Sequence, residues 1–434
     1  MIALFIFRRD LRLEDNTALL KALEESENVI PAFFLDPRQL KNNDYFSENA
    51  YEFMIDSLKE LDVELKRKGS KLYLFEAKPE EVIKDLGVGS VYLNKDYTPF
   101  SKERDEKIKK VCEEENIGFK SYHDLLLNEP GKVLKDDGKP YTVFTHYFNK
   151  AVRNKVKKPV KNNYSNYYKG EIKNTVSLPS VESNPDLFVK GGRKEALDIL
   201  KKNLLRYDEE RDYPSVKGTT GLSAHHKFGT ISIRESYEAF KDVHALKREL
   251  YFRDFFTYIA HHHPWVFGKP FHKKYEKIKW EKEHFDKWKK GMTGYPIVDA
   301  GMRELNKTGY MHNRVRMITA SFLTKHLLID WREGEKYFAS KLVDYDPCVN
   351  NGNWQWASST GCDAQPYFRI FNPWRQQERF DKDCRYIKKW VPELKRLTAK
   401  EIHNLKDQPI KEYPEPVVEH ETARKRALER YKII

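Results

Sequence analysis

Over residues 1–125 short apolar runs alternate with amphipathic stretches, a pattern that predicts a parallel sheet flanked by helices. The predicted strands are Ile2–Phe7, Val29–Leu35, Lys71–Glu76, Ser90–Leu93 and Gly118–Tyr122. Residues 16–25 and 49–68 read as helices, and Asp15 or Asn16 is placed to cap the first. The fold class expected here is α/β, a doubly wound parallel-sheet domain. No GxGxxG follows the first strand, which argues against a dinucleotide held in the usual Rossmann manner.

Residues 126–191 lose this periodicity. They carry Pro and Gly, the basic run Lys155–Lys161 and the tyrosine cluster Tyr164–Tyr168, and read as a long interdomain connection over the surface. From residue 192 to 434 the pattern is helical, predicting a larger all-α domain. All eight tryptophans, residues 265 to 390, fall in that second half. Core-filling alone would have scattered some into the first, so the chemistry is expected there.

Composition adds partners. With 79 Lys and Arg against 66 Asp and Glu the net charge is +13, which favours a polyanion, nucleic acid above all. The 434 residues suffice for two or three domains. Cys112, Cys348, Cys362 and Cys384 show no CxxC spacing, so a reduced cytoplasmic protein without structural zinc is expected. The apolar run after Met1 is too short for a signal segment or a membrane span. His261–His263 diverge around a helix with no carboxylate or cysteine at ligand spacing, and no metal is expected.

The densest chemistry lies in residues 344–373, DYDPCVNNGNWQWASSTGCDAQPYFRIFNP. Acids and asparagines are mixed with Trp354 and Trp356, a combination suited to a large flat ligand stacked on its faces and hydrogen-bonded at its edge. An aromatic-rich helix junction is the plainer reading, but so many buried amides would each need a partner. Upstream, Thr219, Thr220, Gly221, Leu222 and Ser223 precede a predicted helix, where hydroxyls and free N–H groups can cradle phosphate. On its own GTTGLS is more often a capped turn. In KRELYFRDFFTYIAHHHP, Glu249 and Arg253 share a helix face beside Phe252 and Phe256; the plainer reading is a surface ion pair. Asn313 and Met317 share another face one turn apart, with Arg314 and Arg316 directed elsewhere. Trp356, two residues from Trp354, is expected to point the opposite way if that segment is extended.

GNWQWASSTGCDAQPYFRIFNP resembles the flavin-site signature of the DNA photolyase/cryptochrome family, and GYMHNRVRMITASFLTKHLLIDWREGEKYF resembles its companion helices. The likeness runs from Met1 to about Tyr431 and is strongest to the class I cyclobutane pyrimidine dimer photolyases. It implies FAD, with Tyr207 and Thr219–Ser223 at its diphosphate and Glu249, Arg253, Asn313, Arg316, Asp344, Asp346 and Asn350 along the rest. An amide near flavin N5, the role implied for Asn350, stabilises the reduced ring without acting as a strong acid. The resemblance further implies that Glu249, as a neutral acid raised in pKa by burial, Phe252, Arg253, Asn313, Met317 and Trp356 meet a flipped-out dimer, while Arg211, Arg253 and Arg314 grip phosphates. Trp354, Trp331 and Trp288 match a chain that carries an electron from the surface to the oxidised flavin.

The implied activity is light-dependent repair of cyclobutane pyrimidine dimers in UV-damaged DNA; a cryptochrome-like photoreceptor without repair is the alternative. Several residues depart from the family. Phe252 stands where many dimer-repairing members have tryptophan, Leu246 replaces an aromatic, and Gly221 replaces a common arginine. Thr98 falls where folate-binding relatives carry glutamate, so the second, antenna chromophore is expected to be a flavin or deazaflavin in preference to folate. A monomer with no membrane or metal partner is expected.

Overall fold

The computed structural model describes residues 1–40, 43–202 and 204–432; the last two residues of the helical block lie outside it. The chain divides into two compact units, Met1–Ser183 with Val189–Asn203 and Thr220–Pro264, and Asn184–Phe188 with Leu204–Thr219 and Trp265–Ile434. These units cut across the sequence blocks, because the stretch after Thr220 is compact with the sheet.

In the first unit β1 (Ile2–Phe7), β2 (Asn28–Phe34), β3 (Tyr73–Phe75), β4 (Ser90–Asn94) and β5 (Gly118–Tyr122) form one parallel sheet in the order β3-β2-β1-β4-β5. β1 is buried from Ala3 to Phe7, as a central parallel strand covered on both faces must be. Around the sheet lie α1 (Thr17–Glu25), α2 (Glu48–Arg67) and α3 (Pro99–Glu114). Their caps are Asn16, Ser47 and Thr98, each accepting from a backbone N–H three residues on. Of the two candidates for the first cap, Asn16 takes it. Asp15, at φ 45°, instead binds Ser232 and Arg234.

β3 pairs only with Ala32–Phe34, which leaves the start of β2 with an open edge. The connection fills it: Val29 donates to Asn166 O at 2.9 Å, and Tyr168 donates back to Val29 O at 2.8 Å. This connection also includes the short helix α4 (Phe144–Ala151). Residues 220–264, with α5 (His244–His262), are fastened to the sheet by Leu11 N donating to Phe228 O and by a buried ionic network. In that network Arg234 reaches Asp15 at 2.8 Å and Asp124 at 2.6 Å, while Arg12 pairs with Asp124 as well. Asp124 is held ionised well below the usual carboxylate range: burial opposes the charge, but Arg12 and Arg234 overcome it.

The second unit is helical: α6 (Pro296–Thr308), α7 (Asn313–Ser321), α8 (Trp331–Lys341), α9 (Pro347–Ser358) and α10 (His420–Lys432) are its longer members. Its core contains Trp288, Trp331 and Trp354. Gly334 on α8 makes a close approach possible, since a Cβ there would lie 2.2 Å from the Trp354 ring. α7 runs into a π-turn at Phe322–His326, where Leu327 N donates to Phe322 O, five residues back. The turn carries a fully buried lysine, Lys325, whose amine donates to Ser358 O (3.2 Å) and Ser359 Oγ (2.9 Å) and lies 3.5 Å from the centre of the Tyr431 ring. Burial pushes its pKa well down. Among the described residues no helix is long and apolar enough to cross a membrane.

Candidate functional site

α7, α8 and α9 concentrate polar side chains in the second unit. Arg316 donates through Nη2 to both oxygens of buried Asp344, at 2.9 and 3.2 Å, and through Nε to Met311 O at 2.7 Å. The guanidinium also covers Tyr310, 5.2 Å from the ring centre. Asp346 caps α9, accepting from Cys348 N and Val349 N. Asn350 follows one turn later and donates its Nδ2 to Glu335 O at 3.1 Å, so its carbonyl oxygen is the end it can offer outward. Glu335 is buried, and that burial raises its pKa to about 7 against the opposing hydrogen bonds of Asn351 and Asn350. On α7 Asn313 is exposed and Met317 half-buried, one turn apart.

The segment carrying both tryptophans is helical, not extended. Two helical steps still amount to roughly 200°, so Trp354 is buried in the core while Trp356 is half-buried at its edge, packed against the same cluster. The difference comes from helical phase instead of strand alternation.

The three tryptophans expected to link flavin and surface are all sealed in: Trp288 is 0%, Trp331 1% and Trp354 2% exposed. Trp288 meets Trp354 edge to face, lies parallel to Phe338 at 5.9 Å and donates its indole N–H to Thr319 O. None of the three ends at solvent. Sequence reasoning missed Trp280, which is half-buried, packs against the same core and precedes Glu281, the bridge partner of Ile329 two residues before Trp331. Its setting, KIKWEKEH, is charged on both sides, the signal of a ring at a surface.

Also in the second unit are Tyr207, Arg211 and Thr219. Arg211 lies over the Tyr207 ring at 5.1 Å, and Thr219 hydrogen-bonds Tyr310. Arg314, beside Asn313, pairs with Asp212.

The first unit holds Thr220, Gly221, Leu222 and Ser223. Gly221 has φ +72°, a conformation L side chains rarely adopt, so an arginine there would be strained. Leu222 N donates to Thr220 Oγ1 at 3.2 Å, and Ser223 opens a six-residue helix. On α5 Leu246 is buried and Glu249 is half-buried. Phe252 stacks on Phe144 with centroids 3.5 Å apart and planes within 9°, so one face is already covered. Arg253 donates to Leu125 O (2.7 Å) and His226 O (3.0 Å), holding to α5 the segment after β5 and the short helix that Ser223 opens.

The sheet's topological switch point lies at β1, whose neighbours are β2 and β4. Beyond the carboxyl ends of β1 and β4 lie Arg8, Arg9 and Asp96; Arg9 donates to Asp96 at 3.3 Å. Thr98 is engaged as the α3 cap. Among the described residues no cluster of three or more His, Cys, Asp or Glu could hold a metal ion.

Two family profiles match the chain: DNA photolyase over residues 3–163 and the FAD binding domain of DNA photolyase over residues 245–433. A deoxyribodipyrimidine photo-lyase from Alkalihalophilus pseudofirmus is 37% identical, covering 98% of this chain and 97% of that one. The photo-lyase of Escherichia coli is 35% identical with 98% and 97% covered. Among solved structures, an archaeal photolyase from Sulfolobus tokodaii described with two FAD molecules superposes with TM-score 0.94 at 46% identity, with both chains fully covered. A Synechocystis cryptochrome reaches 0.88 at 27% identity, covering 99% and 98%.

Proposed function

From the premise that this chain belongs to the DNA photolyase family, we propose that it repairs cyclobutane pyrimidine dimers in UV-damaged DNA, using light and FAD. The observation that carries this reading is the grouping of the Arg316–Asp344 pair with Asp346 and Asn350 on neighbouring helices of one unit.

The donor set fits FAD. Arg316 supplies a cation whose charge Asp344 balances, and Asn350, its Nδ2 engaged, turns an acceptor toward an N–H such as that of a reduced flavin ring. Tyr207, Thr219, Thr220, Gly221, Leu222 and Ser223 would hold the diphosphate, with Glu249, Arg253, Asn313 and Asp346 along the remainder. When bound in reduced form, FAD would provide the light-excited electron by which the cyclobutane ring is opened.

The chain's own residues do the rest. Arg211 and Arg314 meet DNA phosphates, and Glu249 and Asn313 bond the edge of the extruded dimer. Met317 and Trp356 would meet the faces of the dimer, the part that the resemblance also gives to Phe252. Arg253, the further dimer and phosphate contact that the resemblance implies, also ties α5 to Leu125 O and His226 O. Trp354, Trp331 and Trp288 would relay an electron to oxidised flavin, with half-buried Trp280 as the point of entry from solvent.

For the antenna we favour a flavin, and FAD in particular. Support comes from the relative described with two FAD molecules and from Thr98, engaged as the α3 cap, standing where the resemblance gives folate-binding members a glutamate. Chromophores released from purified protein should then comprise two FAD per chain and no folate. The test of the main reading is a thymine-dimer duplex incubated with reduced protein in light and in darkness. Repair in light alone supports it; no repair in either condition favours the cryptochrome-like alternative.

A further inference from the structure

Arg314 is held by its own protein in a way that its proposed role does not require. Its Nη2 donates to Asp212 Oδ1 at 2.7 Å, with the arginine side chain 19% and the aspartate 42% exposed. Its guanidinium carbon lies 4.3 Å from the centre of the buried Phe380 ring, which Arg379 also approaches at 5.0 Å. Its Nε is buried without a hydrogen-bond partner among the described residues.

The position is also unfavourable for a helix. Arg314 is the second residue of α7, where the macrodipole favours negative charge. A cation placed there is not present to stabilise α7. The Phe380 face and the Asp212 carboxylate fix the guanidinium in one orientation while part of the side chain stays exposed, which suits it to take an anion in place of Asp212. Asp212 directly follows Arg211, the other arginine assigned to DNA phosphates, so the carboxylate lies in sequence against both.

The geometry points to Asp212 as a built-in competitor of DNA phosphate: it occupies Arg314 in the free protein, yields it to a phosphodiester on binding, and recaptures it as DNA leaves. This rests on the reading of Arg314 as a phosphate contact. A single contact to a carboxylate 42% exposed is weak enough to be exchanged, and that carboxylate lowers affinity and speeds release of repaired duplex.

The experiment compares dark binding and dissociation of one labelled duplex, with and without a single thymine dimer, to flavin-loaded wild type, Asp212→Asn, Asp212→Glu, Arg314→Gln and Asp212→Asn/Arg314→Gln over a range of salt. Asp212→Asn should bind about two- to fivefold more tightly at low salt, mostly through slower dissociation. Its salt slope should steepen by about one. Asp212→Glu should behave like wild type, and in the Arg314→Gln background Asp212→Asn should have no effect. Unchanged affinity in Asp212→Asn, while Arg314→Gln still weakens binding, overturns the competitor role alone. So does equal tightening with or without Arg314, which would mark a general charge effect. If Arg314→Gln leaves affinity and slope untouched, the phosphate contact itself is wrong and the inference falls with it.

Discussion

Trp288 and Trp354 meet with ring centroids 6.3 Å apart and planes inclined at 71°, and neither reaches solvent. An electron passing between them must have entered elsewhere. Trp288→Phe is expected to slow photoreduction of oxidised flavin while sparing repair by protein already reduced. Losing the indole bond to Thr319 O should also lower the melting temperature by about 2–4 °C. Trp280→Phe should slow photoreduction with little change in melting. Transient absorption and thermal scans of both variants check this: normal photoreduction in Trp288→Phe would leave that ring a core residue only.

Glu249→Ala should keep its fold, since the side chain is half-buried on α5. Loss of one hydrogen bond to the dimer should cost about tenfold in repair efficiency. Single-turnover repair under saturating light measures it, and a wild-type rate would remove Glu249 from the substrate contacts.

The three arginines linked to DNA by resemblance should separate. Arg211→Gln should flatten the salt dependence of DNA binding by about one unit of slope. Arg253→Gln should instead destabilise by about 1–3 kcal/mol, because it strips donors from Leu125 O and His226 O. Fluorescence anisotropy against salt, beside urea unfolding, tells the two effects apart.

Glu335 gives a pH signature. Burial raises its pKa from 4.5 to about 7, so between those values the folded protein keeps a proton that the unfolded chain has released. The stability from this group is therefore greatest below about pH 4.5, falls through the window and levels off above pH 7. The fall amounts to about 3 kcal/mol at most. Glu335→Gln should flatten this decline, as urea unfolding at pH 5 and pH 8 would show.

Much of the fold was legible because single strands and amphipathic helices declare themselves locally. All five strands lie where apolar runs predicted them, and α2 lies within a residue of its expected bounds. What stayed hidden depends on partners distant in sequence. Arg234 reaching Asp15 and Asp124 draws residues 220–264 into the unit of the sheet, and no local pattern announces that. At the candidate site, residue types suggested a large flat ligand, but side-chain commitments did not show. Arg253 reads from the sequence as an ion-pair partner of Glu249, and its two backbone acceptors, Leu125 O and His226 O, are not announced by any local pattern. Trp288 and Trp280 look equivalent as letters, and only burial separates them.

The wide turn at Phe322–His326 makes this stretch of chain sensitive to count more than to spelling. A closure of five residues holds one more than ordinary helical winding, so removing one residue here would draw the turn back to α-helical hydrogen bonding with its flanks close to their present phase. Arg316 and Trp331 lie on opposite sides of that joint. A single-codon deletion here should therefore keep the two in step and instead take from Lys325 the wide backbone that lets its amine reach Ser358 and Ser359.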